Sequence, residues 1–300
     1  NWDTEGQAIW NNDCTIPPTT GTLTGQKYND VNGNGAKNSG ELGLTGWIIN
    51  LDKNADGSVD ATTTTDADGK YSFTNLLAGT YRVREVQQTG WTQTSVNPND
   101  VTLAAGSNIS NIDFGNFRLG SVQGCKYEDT DGDGVRDTGT ENQISNWNMK
   151  LYDANWILKQ EVVTGSYDGG IKYHFDGITI GNYFVCEEKR AGWVQTGPTS
   201  INGVPNLSPN ATSEGEFCYP IAITNSGQTI ASKQFGNKYT PPQLKISKTN
   251  DAAGDKNPGE SVNYTITVEA FDNTSYNVKM TDLLPEGFTY RTGSGKKNGV

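Results

Sequence analysis

Apolar and polar residues alternate in short stretches along most of this chain. In residues 81–85 and 112–116 every second position is aromatic or aliphatic until the last, which is Glu85 in one stretch and Asn116 in the other. An alternation of period two predicts β-strands with one face on a core. Turn signals rich in glycine, asparagine and threonine separate such stretches about every ten residues, which is typical of β-sandwiches. Helix-forming runs are absent, so the sequence predicts an all-β fold.

The strand pattern occurs twice. Phe114 recurs as Phe235 after 121 residues, whereas earlier anchors recur after 99, 100 and 102 residues. The extra length indicates a long insertion near residues 197–215. Two units of roughly a hundred residues are each large enough to hold a core. The earlier anchors are Lys27 with Lys126, Trp47 with Trp147, and Trp91 with Trp193.

Length and charge limit the possible functions. A chain of 300 residues suggests two to three domains. Its net charge of −11 argues against nucleic acid and anionic membranes as partners. No apolar run approaches the ~20 residues of a membrane span. We expect a fragment of a longer protein, because the chain shows no initiator methionine, signal peptide or anchor, and its last domain stops within a pattern. The predicted parts are a preceding tail and linker (1–23), a first repeat (24–118), a second repeat (119–239) and a truncated third β-sandwich (240–300).

A loop of the first repeat has the ligand spacing of a calcium site. Oxygen ligands at loop positions 1, 3, 5, 9 and 12, a backbone carbonyl at position 7 and glycine at position 6 suit Ca²⁺. The flanking residues predict strands rather than helices, which favours a structural site over a switch. The alternative is a solvated acidic turn. The predicted ligands are Asp30, Asn32, Asn34, the carbonyl of Ala36, Asn38 and Glu41.

The second repeat carries a more acidic version of this loop. Thr140 stands at position 12, and the glutamate comes one residue later. Either the loop bulges to deliver the glutamate, or the site loses its bidentate ligand. More carboxylates increase both attraction for the ion and repulsion without it, so we predict that the second repeat depends more on calcium. A weaker match at residues 52–60 is better explained as a hairpin turn. The predicted ligands of the second loop are Asp129, Asp131, Asp133, the carbonyl of Val135, Asp137 and Glu141.

Four motifs of the first repeat resemble a known family. They are Gly-x-Lys-Tyr-x-Asp-x-Asn-Gly-Asn-Gly, Gly-Glu-Leu-Gly-Leu-Thr-Gly-Trp, Thr-Asp-Ala-Asp-Gly-Lys-Tyr-Ser-Phe and Asp-Phe-Gly-Asn. Together they resemble the B-type repeats of serine-aspartate repeat surface proteins, which are related to collagen-adhesin B-type domains. The resemblance covers residues 24–118 well and residues 119–239 with departures. After Pro241 and Pro242, the chain resembles the start of a "conserved repeat" sandwich of bacterial surface proteins.

The resemblance implies an architecture and a role. It implies tandem immunoglobulin-like or prealbumin-like β-sandwiches in an elongated array, stiffened by Ca²⁺. It implies a non-catalytic stalk or adhesin region, extracellular and either secreted or attached to the cell surface or cell wall. Its partners would be neighbouring domains and an unknown protein or glycan bound through other domains. The alternative is a ligand-binding module, which would need an exposed aromatic patch, most plausibly in residues 197–215.

A second chemistry combines strand alternation with the resemblance. The alternation places Glu85 and Asn116 on core-facing sides, where polar groups are costly unless they satisfy one another. In collagen-adhesin B-type domains such an asparagine is joined to a lysine as an isopeptide, with an acid shuttling the proton. The alternative is a surface lysine and a structural asparagine in a Phe-Gly-Asn turn. The matching trios are Lys27, Glu85 and Asn116, and Lys126, Glu187 and Asn237.

The cysteines and the absence of catalytic motifs complete the sequence predictions. Four cysteines allow three pairings, and we prefer Cys186 with Cys218, because Cys218 lies in the insertion-bearing region just before a predicted strand. Cys14 and Cys125 are the other two, and no Cys-x-x-Cys spacing suggests zinc. The sequence contains no nucleophile elbow, phosphate loop or histidine–acid cluster. We therefore expect no enzymatic activity.

Overall fold

The computed structural model describes residues 19–240 and 244–270, together with residues 281–284, 286–287 and 289. The two repeats lie in one compact unit, and a second unit holds residues from Tyr239 onward together with Arg190–Val194. Predictions for residues 1–18 and for most of the third domain fall outside the described residues. Within the described part, the only helical element is a single 3-10 turn at Ala211–Ser213. The predicted all-β sandwich class is confirmed.

The first repeat is a two-sheet sandwich. One sheet has the order β4–β1–β9–β6 with β8 also on β1, and the other has the order β3–β2–β5–β7. Strand β1 runs parallel to β8 and β9. Its strands are β1 Gly21–Asn29, β2 Ile48–Lys53, β3 Ala61–Thr64, β4 Lys70–Leu76, β5 Gly79–Glu85, β6 Trp91–Gln93, β7 Val101–Leu103, β8 Asn108–Ile109 and β9 Phe114–Arg118.

The core of this sandwich follows the predicted alternation. In β5, Tyr81 and Val83 are buried while the arginines between and after them are half-exposed. Strand β1 begins at Gly21, inside the segment predicted to be linker, because Leu23 is fully buried in the core and draws the preceding residues into the sheet. The first repeat therefore starts earlier than residue 24.

The second repeat repeats this plan and adds to it. Its sheets have the orders β13–β14–β10–β20–β16, with β19 on β10, and β12–β11–β15–β18–β17. Strand β10 runs parallel to β20, and the two strands pair in the same register as β1 and β9 of the first repeat. The predicted insertion supplies β17 and the 3-10 turn. Its strands are β10 Gly120–Glu128, β11 Asn148–Asp153, β12 Leu158–Val163, β13 Gly165–Tyr167, β14 Gly170–Ile178, β15 Gly181–Glu187, β16 Trp193–Gly197, β17 Val204–Pro205, β18 Phe217–Ile223, β19 Thr229–Ile230 and β20 Phe235–Tyr239.

The second unit contains an antiparallel hairpin of β21 (Leu244–Asn250) and β22 (Tyr264–Ala270). This hairpin contributes two strands to the region predicted to be a third sandwich, and the rest of that sandwich stays a prediction. In the part of the chain that the structure describes, no helix is both long enough and apolar enough to cross a membrane.

Candidate functional site

The first repeat encloses a lysine, a glutamate and an asparagine in contact with one another. The parallel pairing of β1 and β9 sets Lys27 opposite Phe114, and Asn116 follows two positions later on the same face. Lys27 Nζ lies 2.7 Å from Glu85 Oε2, and Asn116 Nδ2 donates to Glu85 Oε1 at 2.8 Å. Lys27 Nζ also donates directly to Asn116 Oδ1. Lys27 and Asn116 are 0% exposed, so solvent does not reach the trio.

The second repeat builds the same trio. Lys126 Nζ lies 2.7 Å from Glu187 Oε2, and Asn237 Nδ2 donates to Glu187 Oε1 at 2.9 Å. Lys126 Nζ donates to Asn237 Oδ1. All three residues are buried. The structure therefore brings together both trios that the sequence singled out, and we call each of them a triad.

Each triad lysine lies against a tryptophan ring. Lys27 Nζ is 4.2 Å from the centre of the Trp47 ring, and Lys126 Nζ is 4.3 Å from that of Trp147. Burial lowers the pKa of Lys27 to about 8, although its hydrogen bond and charge interaction with Glu85 act to raise it. The lowered pKa increases the fraction of the neutral amine, which is the nucleophilic form of lysine. From the sequence, these two tryptophans were used only to align the repeats, and their contacts with lysine were not predicted.

The first calcium-type loop, Asp30–Glu41, follows β1 directly. Asp30 is fully buried, and its carboxylate accepts hydrogen bonds from Asn34 N at 3.1 Å and Gly35 N at 2.7 Å. The two oxygens of Glu41 accept from Val31 N at 2.9 Å and from Asn38 N at 2.8 Å. The two ends of the loop are thereby held by carboxylates.

The remaining predicted ligands of this loop meet at its centre. The side-chain amides of Asn32 and Asn34 both donate to Asn38 Oδ1, at 3.2 and 2.9 Å. Ala36, whose carbonyl was expected at position 7, donates its N–H to Asn34 Oδ1 at 2.9 Å. An all-oxygen set on one short loop fits a hard cation such as Ca²⁺.

The second loop brings its displaced glutamate to the equivalent place. Glu141 is buried, and its oxygens accept from Thr130 N at 2.8 Å and Asp137 N at 3.0 Å. These are the same two loop positions that Glu41 holds in the first repeat. The extra residue is absorbed in a tight turn in which the N–H groups of Thr140 and Glu141 both donate to Asp137 O. Of the two alternatives left by the sequence, the structure has the bulge.

Carboxylates crowd the second loop. One oxygen from each of Asp129, Asp131 and Asp133 lies within 4.8 Å of the others. Burial acts to raise the pKa of Asp129, but hydrogen bonds that include those from the backbone of Gly134 and Gly132 outweigh it and lower that pKa below its usual range. Val135, expected to offer its carbonyl, is exposed and donates its N–H to Asp133 Oδ1 at 2.7 Å. These three carboxylates could hold a divalent cation.

A hairpin turn provides a useful contrast. Asp52, near the end of β2, accepts from Asp56 N at 3.1 Å and Gly57 N at 2.9 Å, as Asp30 does from its own loop. The turn joins two adjacent antiparallel strands, as the sequence indicated. Backbone hydrogen bonds to an aspartate therefore do not identify a calcium loop, and the two predicted loops differ from this turn in their further set of oxygen ligands.

Loop and triad are joined through the backbone in both repeats. Asp30 N donates to the carbonyl of Asn116, and Asp129 N donates to that of Asn237, each at 2.9 Å. The asparagine of each triad thus holds the first ligand of the neighbouring loop. One backbone hydrogen bond therefore connects the triad and the loop in each repeat.

Similarity to known proteins identifies the family. The model of the SdrD B-like domain matches residues 22–116. This region is an SdrD B-like domain. Serine-aspartate repeat-containing protein D of Staphylococcus aureus (strain Newman) is 32% identical over 218 residues, covering 64% of this chain and 16% of that protein. Serine-aspartate repeat-containing protein F of Staphylococcus epidermidis is 32% identical over 188 residues, covering 58% of this chain and 11% of that protein.

The chain therefore carries B-type repeats of the serine-aspartate repeat proteins and spans only a small part of these relatives' length. Among solved structures, it is similar to the Bacillus anthracis TIE protein, with a TM-score of 0.31, 16% identity and coverage of 84% of this chain and 43% of that one. A streptococcal ancillary pilin gives a TM-score of 0.35, 17% identity and coverage of 75% and 64%. Overlaps this loose add nothing to the fold described above.

The second B repeat has a polar cluster that the sequence did not reveal. Glu214 is buried and accepts from the hydroxyl of Tyr152, from Lys150 Nζ at 3.3 Å and from Asn206 Nδ2 at 3.1 Å. Because Glu214 lies in the insertion, the first B repeat offers no matching position that could have signalled it. The cluster fastens the insertion to β11.

A disulfide lies beside this cluster. Cys186 on β15 is joined to Cys218 on β18, the pair preferred from the sequence. Cys125 is buried outside any disulfide. Residues 197–216 contain no aromatic residue, and their exposed apolar side chains are Ile201 and Leu207. The insertion therefore lacks the aromatic patch that a ligand-binding role was expected to require.

Proposed function

We propose that this segment is a non-catalytic, calcium-stabilised stalk of a bacterial surface or secreted adhesin-like protein. The observation that carries the proposal is that the side chains of both triads are buried and that each loop begins with an aspartate that is 0% exposed. Groups enclosed in this way stabilise a fold and do not reach a substrate. The disulfide suits an oxidising extracellular location. Recognition of a protein or glycan is assigned to other domains of the same protein.

Calcium is the first stabilising device of the proposal. The loops would hold Ca²⁺ through the side chains of Asp30, Asn32, Asn34, Asn38 and Glu41, and through their acidic counterparts in the second repeat. Bound Ca²⁺ neutralises the carboxylates and fixes both ends of each loop. The carbonyls of Ala36 and Val135 complete the expected ligand sets.

Intramolecular cross-links are the second device. Neutral Lys27 Nζ attacks Cγ of Asn116, the new C–N bond forms, and the Cγ–Nδ2 bond breaks. Glu85 takes the proton from Nζ and delivers it to Nδ2, which leaves as ammonia. Lys126, Glu187 and Asn237 perform the same step. Each bond forms once, so it is a self-modification without turnover.

Thermal unfolding with calcium and then with a chelator tests the first device. A site filled at a hundredfold excess over Kd adds about 3 kcal/mol of stability. We expect a large fall in the unfolding temperature on chelation, with the second repeat affected more. An unchanged unfolding temperature would remove calcium from the proposal.

Intact-mass measurement under denaturing conditions tests the second device. Each cross-link lowers the mass by one ammonia, about 17 Da. We expect the loss of two ammonias from the chain, of one in an Asn116→Ala variant, and of none when Asn237→Ala is added. A mass equal to that of the unmodified sequence would show that the triads are ordinary buried ion pairs. A stalk without calcium dependence and without cross-links would contradict the proposal as a whole.

A further inference from the structure

The two repeats meet at a joint built around the first calcium-type loop. Strand β9 ends at Arg118 and β10 begins at Gly120, so Leu119 alone links the sandwiches. A turn of the second repeat, residues 224–228, approaches this point, and we call it the docking turn. Its residue Ser226 donates N–H to Val31 O at 2.9 Å and its hydroxyl to Asn29 Oδ1 at 2.6 Å.

The docking turn also hydrogen-bonds to the last strand of the first repeat. Arg118 N donates to Ser226 Oγ at 2.7 Å, and Gly227 N donates to Arg118 O at 2.8 Å. Gly227 has a φ of +71°, and a Cβ on it would lie 3.2 Å from the Arg118 side chain. One serine therefore joins both the start of the calcium-type loop and the end of the sandwich that carries it.

A second contact brings an apolar residue against the same loop. A Cβ on Gly33 would lie 3.0 Å from the Ile180 side chain, which extends from the turn between β14 and β15. Gly33 has a φ of +65°, a conformation that favours glycine. The loop thus contacts the second repeat on two sides, through Val31 and through Gly33.

The equivalent positions of the first repeat lack these contact groups. Thr22 N donates to Ser107 O in the first repeat, and Ser121 N donates to Gln228 O in the second. Ser107 therefore corresponds to Gln228. Two residues earlier, Ala105 corresponds to Ser226. Strand β5 aligns with β15, so Ala78 stands where the second repeat has Ile180. The hydroxyl and the larger apolar side chain occur in the copy whose turns receive a calcium-type loop.

We propose that calcium controls this joint: ordering of the first loop by the ion fixes Asn29, Val31 and Gly33 as a surface onto which the second repeat docks. The inference rests on the proposed calcium site. Because binding and docking share the loop, the coupling is reciprocal, and docking raises the calcium affinity of the loop by the same factor by which calcium favours docking. Loss of calcium would free the angle between the repeats while each sandwich stays folded.

Hydrogen exchange of the full chain, followed by mass spectrometry, tests the joint. With calcium, peptides that cover Ser226 and Gly227 should exchange slowly, and chelation should speed them at least about tenfold. Peptides from β5 should stay protected. If the loop peptides of residues 31–41 respond to calcium and the docking turn does not, the joint proposal fails while the calcium site stands. If neither responds, the calcium site itself fails. Loss of protection in β5 would indicate unfolding of the repeat and would also overturn a gated joint.

Calcium titration of a serine variant provides the reciprocal test. In a chain with Asp131→Ala, Asp133→Ala and Asp137→Ala, which removes three predicted side-chain ligands of the second loop, Ser226→Ala should weaken calcium binding by the first loop roughly threefold to tenfold, as expected for the loss of one or two hydrogen bonds. Ser121→Ala is the matched control, since its hydroxyl pairs with Thr229 within the second repeat. Equal affinities for the two variants would overturn the coupling.

Discussion

The two repeats share a buried triad and differ in loop charge, in a disulfide and in an insertion. Distances between lysine and glutamate are 2.7 Å in both copies, and the hydrogen bonds from asparagine to glutamate are 2.8 and 2.9 Å. Their loops, by contrast, hold two carboxylates in the first copy and five in the second. The second copy alone adds a disulfide and an anchored insertion. The comparison indicates that the buried triad is the same in both copies, while the loop charges, the disulfide and the insertion differ.

The variation has a physical logic. Three carboxylates within 4.8 Å repel one another when no cation is bound, so the second loop is the less stable without calcium. The disulfide between β15 and β18 restrains the same repeat by covalent means. The loop of the first repeat has fewer carboxylates, and this repeat instead gains contacts from the docking turn.

The largest effect should come from the shared triad. Glu85→Ala leaves the Lys27 amine and the Asn116 amide without their common partner, and loss of one member of a buried ion pair costs about 3–5 kcal/mol. Glu187→Ala should cost the second repeat the same, because the geometry is the same. Chemical unfolding measures both losses, and intact mass should show one ammonia retained in each variant.

Glu161→Ala on β12 is the control for this prediction, since Glu161 is exposed and its loss should change stability by less than about 0.5 kcal/mol. Triad variants as stable as this control would show that neither triad stabilises the fold.

Removal of the disulfide should have the next largest effect, and it should affect the two repeats differently. Replacement of Cys186 and Cys218 by alanine removes a link across 32 residues, which the chain-entropy relation values at about 3–4 kcal/mol. The second repeat should lose this stability and the first should not. Hydrogen exchange in β15 and β5 distinguishes the two, with Cys125→Ala as the control for loss of a buried thiol. Equal loss of protection in both strands would mean that the repeats unfold together.

Exchange of loop charges should sharpen the comparison further. The triple variant Asn32→Asp, Asn34→Asp and Asn38→Asp gives the first loop five carboxylates. Each close pair of like charges costs about 1 kcal/mol in water, so the variant should be less stable than the parent in chelator and should gain more from calcium. The reverse variant, Asp131→Asn with Asp133→Asn, should make the second repeat less dependent on calcium. The readout is the difference in unfolding temperature with calcium and with chelator, and an unchanged difference would contradict the charge argument.

Sequence reasoning succeeded where the relation between residues is local or repeated. The period of two fixed the face of Glu85 and Asn116, and the repeat supplied the second triad at once. The position of Lys27 beside Asn116 depends on parallel pairing of the first and last long strands, which no local pattern encodes; the family resemblance supplied it. Delivery of Glu141 depends on a turn of the backbone. Ser226 and Glu214 were missed because each acts on a partner far away in sequence. The first repeat has Ala105 in place of Ser226 and no position that matches Glu214.

The most specific prediction is a pH dependence of the first triad. In an Asn116→Ala variant the cross-link cannot form, so Lys27 still titrates, with a pKa of about 8 in the folded chain against 10.5 for an unperturbed lysine. Between these two values the unfolded chain binds a proton that the folded chain has released, and stability therefore rises as pH increases through this window. The parent chain should lack this rise, because an amide nitrogen does not titrate. Urea unfolding at pH 7.5, 9 and 10.5 measures the slope, with Asn116→Ala plus Lys27→Met as the control. A rise of equal size in parent and variant would show that Lys27 is a free amine in both, and that the first triad never closes.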